Sequence, residues 1–299
     1  MPTCQIRFRS SVAASCLHIA ACRSAGLPAA DDQLAAATAQ PVDAVLRELE
    51  SVGWPEGQAL PLLASLACEF PTYRELLQRC DARLRGPGQQ DDLSRLAAAL
   101  AALELAVKAV APRLAAELPL RERPLREQWE ARGPGLLLYV AKQTEPQFVA
   151  ESAEAVLVAP YVGGHGLAHA ATNRVTFEAV LANPVAELPE TVRLAWLAGQ
   201  LNGELPRYVE RLNAPANREL TVALAAAPPV LAAAEFVELA SCNEATFALA
   251  LGAWHIPVEP QTTAAVLWQW WSTYLDSATA WPIALAALEQ MLAGATGNE

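Results

Sequence analysis

The chain has 299 residues, of which 53% are hydrophobic and 18% charged. That is enough apolar area for one large or two smaller folded cores, since domains usually run to roughly 100 to 200 residues. A formal charge of -11 opposes a phosphate backbone or an anionic lipid surface, so nucleic acid is excluded as a partner of the whole chain and no membrane association is expected.

Arg7 and Arg9 precede a modest apolar stretch from Ser11 to Ala21, and no acidic residue occurs before Asp31. Residues 1-22 therefore carry some marks of a targeting segment. His18, the cysteines beside it and Arg23 argue against export, and the expectation is a cytoplasmic protein. Later apolar runs are broken by Glu, Arg, Lys or Pro before the roughly 18 to 20 residues that a bilayer requires.

Residues 1-85 read as an N-terminal helical module of short helices. Asp31 and Asp32 are start signals for one helix, Pro41 suits the first turn of the next, and Gly53 suits a C-cap. Leu34, Val42, Val45, Leu46, Leu49 and Val52 fall at helical spacing. This stretch resembles the second and third helices of a helix-turn-helix or winged-helix domain. Its would-be recognition helix, however, carries Asp43, Glu48 and Glu50 against Arg47, whereas groove binding needs cations. The resemblance therefore implies a protein-docking module rather than a DNA reader.

Gly86, Pro87 and Gly88 in a polar setting mark residues 83-92 as a linker. Residues 93-299 are expected to form an α+β domain with a C-terminal helical cap. Asp91 and Asp92 suit the first turn of a long helix, apolar around much of its circumference and central to the second core, that ends near Pro112. The segments GLLLYVA, AVLVAP and RVTFEAVL suggest about three short strands near residues 135-181. Helical spacing returns from Pro189 onward. The fold class expected is mainly α with a small β-sheet.

Two of the four histidines stand together in YVGGHGLAHAATN, at His165 and His169. On a helix they would share one face and could ligate a metal together. On a strand they would stand roughly 13 Å apart. Gly163, Gly164 and Gly166 favour a hairpin with partly exposed histidines. The zinc peptidase pattern also needs a Glu after the first His, and position 166 is Gly. Glu178 and Asn173 downstream are weak companions for a hydrolase-like site with His165 and His169.

The strand RVTFEAVL followed by the helix ETVRLAWLAGQL is similar in outline to the strand-then-helix core of zincin metalloproteases. Where that family places His, Glu and His, this chain has Val192, Arg193 and Trp196, so the resemblance implies a zinc-free pseudoenzyme. Cys16 and His18, two apart on a helix, point to different faces. The six cysteines, Cys4, Cys16, Cys22, Cys68, Cys80 and Cys242, form no CxxC pair and read as scattered core thiols.

Eight tryptophans include Trp268, Trp270, Trp271 and Trp281 in one short segment. Trp268 and Trp271 share a helical face with Leu275, whereas Trp270 projects elsewhere with Tyr274. Packing between helices is the plain reading; an aromatic ligand wall bordered by Trp254 and His255 is the sharper one. No cofactor is implied. The leading expectation is a non-catalytic helical scaffold or interaction protein with a protein partner or a second copy. The alternatives are the hydrolase-like site and a small-ligand binder at the tryptophans.

Overall fold

The computed structural model describes residues 4-54, 57-86, 93-214, 217-277 and 279-296. Among them the chain forms twelve α-helices and one small mixed sheet of four strands, a mainly helical α+β fold. Contacts divide it into two compact units: a sheet unit, Arg7–Pro124 with Glu154–Ala182, and an aromatic unit, Met1–Ile6, Leu125–Ala153 and Asn183–Glu299.

In the sheet unit, strand β1 (Gln5–Ser10) leads into α1 (Val12–Ser24), whose N-cap Ser11 accepts from Ala14 N. Helix α1 is buried from Ala14 to Ala20 and again at Cys22, so it occupies the centre of this core. Around it stand α2 (Asp32–Val52), α3 (Ala59–Leu66), α4 (Tyr73–Arg85) and α5 (Ser94–Val110). Asp31 caps α2 through Gln33 N and Leu34 N, and Gly53 closes it in the left-handed conformation, as the sequence suggests. Pro41, expected to open a new helix, lies inside α2 instead. It forgoes one backbone donor, but Leu34, Thr38, Val42, Val45 and Leu49 form one unbroken buried stripe across it. Packing on α5 holds both halves in register, and the helix-turn-helix resemblance loses the turn that carried it.

Helix α5 is not the all-round buried element that its composition suggests. Its buried stripe is Leu96, Leu100, Leu103 and Val107, while Ala98, Ala101, Ala102, Leu105 and Ala109 are exposed. Alanine tolerates solvent in a helix at little cost, so apolar composition overstated burial. Helices α4 and α5, on either side of the expected linker, belong to the same unit. Residues 87-92, including Asp91 and Asp92, lie outside the described residues.

Strands β2 (Ser152–Val158), β3 (Gly166–His169) and β4 (Arg174–Glu178) complete the sheet in the order β1-β2-β4-β3. Strands β2 and β4 are parallel, Val158 opposite Glu178; β3 and β4 are antiparallel, Gly166 opposite Phe177 and His169 opposite Arg174. Strand β1 was not anticipated, and GLLLYVA is not a strand but part of α6 (Leu114–Gln143). The buried positions Leu125, Trp129, Leu136 and Val140 recur at helical spacing, and this longer pattern overrides the strand propensity of the short segment.

The aromatic unit is built round α9 (Arg218–Phe236), buried almost continuously from Thr221 to Ala234 despite Pro228 and Pro229. Helix α9 has the length and composition to cross a membrane, but 67% of its apolar window is buried inside the protein. Packed with it are α7 (Glu190–Ala198), α10 (Glu244–Ala253), α11 (Pro260–Asp276) and α12 (Trp281–Thr296); the short α8 (Pro206–Val209) packs on α12.

Candidate functional site

The chemistry of the sheet unit gathers on one carboxylate. Glu178 ends β4, and its side chain is fully buried. The backbone from Tyr161 to His165 curls over it so that five consecutive N–H groups donate to it. Tyr161 N (2.9 Å) and Val162 N (2.8 Å) donate to Oε1; Gly163 N (2.7 Å), Gly164 N (2.7 Å) and His165 N (3.0 Å) donate to Oε2. Gly163 at φ 97 and Gly164 at φ 139 permit this curl, since an L side chain is strained in that region. The result is a backbone anion nest filled by the protein's own carboxylate.

A sixth donor arrives from α1: His18 Nε2 donates to Glu178 Oε1 at 3.0 Å. Cys22, one turn further along the same face, places its Sγ 3.4 Å from His18 Nε2. Ser15 Oγ accepts from Ala159 N at 2.9 Å and fixes α1 against the end of β2. Burial alone would raise the pKa of Glu178. The hydrogen bond and charge of His18, with the N–H groups of Val162 and Gly164, outweigh it and hold the carboxyl well below its ordinary range. Burial, with the Glu178 charge added, pushes the Cys22 thiol up, so Cys22 is not an activated nucleophile.

The expected site residues are only partly brought together. His165 reaches Glu178 through its backbone N–H, and its ring stacks on His18 with centroids 5.7 Å apart. His169 turns to Thr176, its Nε2 3.2 Å from Oγ1. The antiparallel register separates the two histidines by four strand residues, roughly 13 Å, so they do not share an ion. Both are buried at 7% exposure, where the hairpin reading expected them to be partly exposed. Burial first, then repulsion from His18 and Arg174, pushes His169 down to about 3. Asn173 occupies the left-handed turn between β3 and β4. Arg174 bonds Glu154 (2.7 Å), Glu69 and the Ser65 carbonyl (3.1 Å). In the zincin comparison, Val192, Arg193 and Trp196 of α7 are all buried.

His18 and Cys22 were missed. The sequence signal is their spacing of four, which stacks them on one helical face. No local signal tied either to Glu178, 160 residues away from His18.

The tryptophans mostly fill the aromatic unit. Trp254 stacks on Trp196 at 4.7 Å. Trp270 donates from Nε1 to the Ala284 carbonyl at 2.8 Å, and Trp281 packs edge-on against Phe148 at 5.1 Å. Trp271 is buried, so it does not share the exposed face that carries Trp268 and Leu275. His255 follows α10 in the left-handed conformation.

A groove of about 400 Å³ opens on the sheet unit, lined by Ala13, Phe70, Tyr73, Leu76, Ala101 and Leu105 among others. At its rim Tyr73 OH donates to Glu104 Oε2 at 2.6 Å, and Lys108 Nζ lies 2.5 Å from Glu104 Oε1. Leu105 is 69% exposed. No protein family, curated protein or solved structure matches this chain.

Proposed function

We propose that the chain is a non-catalytic helical interaction protein, and that its sheet unit takes a short apolar segment of a partner protein into the groove between α5 and the start of α4. The observation that carries this reading is the contrast between the two candidate places. The histidine cluster is enclosed and its carboxylate already accepts six hydrogen bonds, which leaves no base presented to a substrate. The groove is open and apolar, and Leu105 stands beside it uncovered. The net charge of -11 favours a basic partner through long-range steering.

The test compares the full chain with Leu105→Glu. Proteins captured on wild type are identified, purified and measured individually by calorimetry, and light scattering reports whether a second copy is the occupant. A purified partner whose affinity falls at least about tenfold in Leu105→Glu, a loss of roughly 1.4 kcal/mol, supports the reading. Binding that ignores the substitution, or a stable dimer that it breaks, overturns it.

A further inference from the structure

We propose that His18, Cys22 and Glu178 form a buried structural site for a divalent ion of the zinc class. This goes beyond the groove reading and does not depend on it. The three residues offer one imidazole nitrogen, one thiolate sulfur and one carboxylate oxygen, all within 4.8 Å of one another and all buried. Nitrogen, sulfur and oxygen are the donors that zinc accepts. Bond lengths of about 2.0 to 2.3 Å to a tetrahedral ion place its ligand atoms roughly 3.3 to 3.7 Å apart. The observed separations, 3.0 Å from His18 Nε2 to Glu178 Oε1 and 3.4 Å from His18 Nε2 to Cys22 Sγ, lie near that range, and the third is no more than 4.8 Å.

The supporting geometry is also that of a metal ligand set. His18 and Cys22 sit one turn apart on α1, which α-helical packing holds rigid in the core. The five backbone N–H bonds to Glu178 orient its carboxylate, as outer-shell hydrogen bonds do for ligating carboxylates. An ion would displace only the His18 proton from Oε1 and leave all five in place. His18 Nε2 is the nitrogen turned to the other two donors.

The occupied site balances its charge. One dication enters, the Cys22 thiol gives up its proton, and the His18 Nε2 proton leaves or moves to Nδ1. The ion, one carboxylate, one thiolate and a neutral imidazole sum to zero, so binding places no uncompensated charge in the core. All three ligands are buried, which favours a structural role over activation of a substrate water.

The experiment loads the metal-free full chain with zinc, dialyses it against metal-free buffer and counts zinc by mass spectrometry. Cobalt(II) is used in parallel, because its absorption reports tetrahedral geometry and thiolate ligation. The expected result is one zinc per chain and a cobalt spectrum with a thiolate charge-transfer band, both lost in Cys22→Ser while circular dichroism stays native. Folded wild type that retains neither metal overturns the proposal, as does a stoichiometry that Cys22→Ser leaves unchanged. The wild-type cobalt spectrum decides the matter even where the variant fails to fold.

Discussion

In the aromatic unit, α9 is enclosed by apolar helices and by a chain of ring contacts: Trp270, Tyr274, Trp281 and Phe148 lie with neighbouring centroids 5.1 to 6.2 Å apart. In the sheet unit, α1 is enclosed by helices and by the ends of β2 and β4, and the closing contact is a buried carboxylate with six donors. The first arrangement degrades gradually when a contact is lost, because packing energies are many and small. The second is all or nothing, because removing the shared acceptor orphans every donor at once.

The sharpest way to break this comparison is Glu178→Ala. It leaves five backbone N–H groups, four buried and that of Gly163 part-buried, without an acceptor. At about 1 to 3 kcal/mol each, the sum rivals the roughly 5 to 15 kcal/mol that holds a whole domain. The expected outcome is loss of hydrogen-exchange protection across α1, β2 and β4; a variant that keeps native protection there would contradict the account. Trp271→Ala in the other unit is expected to cost about 3 to 5 kcal/mol while urea unfolding stays cooperative, and a cost under about 1 kcal/mol would mean the ring cluster is not packed as described.

A smaller effect tests burial at His169. Its folded value of about 3 lies below the ordinary 6.5, so the unfolded chain binds the extra proton first as pH falls. Stability is full above 6.5 and declines toward pH 3, by up to about 1.4 kcal/mol per pH unit from this group. His169→Gln is expected to flatten the decline in denaturant midpoints between those limits; an unchanged slope would show that His169 titrates like an exposed histidine. The smallest effect belongs to Trp268, which is 36% exposed: Trp268→Ser is expected to shift stability by no more than about 1 kcal/mol, and a larger loss would place the indole in the core.

What the sequence disclosed was local. The Asp31 cap, the Gly53 stop and strand β4 follow from residue type and short-range spacing, whereas the hairpin turns at 170-173 between β3 and β4 and not at the glycines of 163-166. The segment GLLLYVA misled because its strand propensity is local, whereas the helix that contains it is fixed by apolar positions spread from Leu125 to Val140. Pro41 misled in the same way, since tertiary packing on α5 outweighed one lost backbone donor. From the sequence, Glu178 is only a companion of His165 and His169. Its true partners are the backbone of 161-165, which has no side-chain signature, and His18, which no spacing rule connects to it.

The most direct measurement is a proton–nitrogen NMR titration of the Tyr161–His165 amides in metal-free protein from neutral pH downward. The account predicts strongly downfield, exchange-protected Gly163 and Gly164 amides that show no inflection near the ordinary carboxylate value of 4.5, because Glu178 stays ionised well below it. Amides that exchange freely, or that titrate together near that value, would show that the carboxylate is not held in the nest and would contradict the central claim.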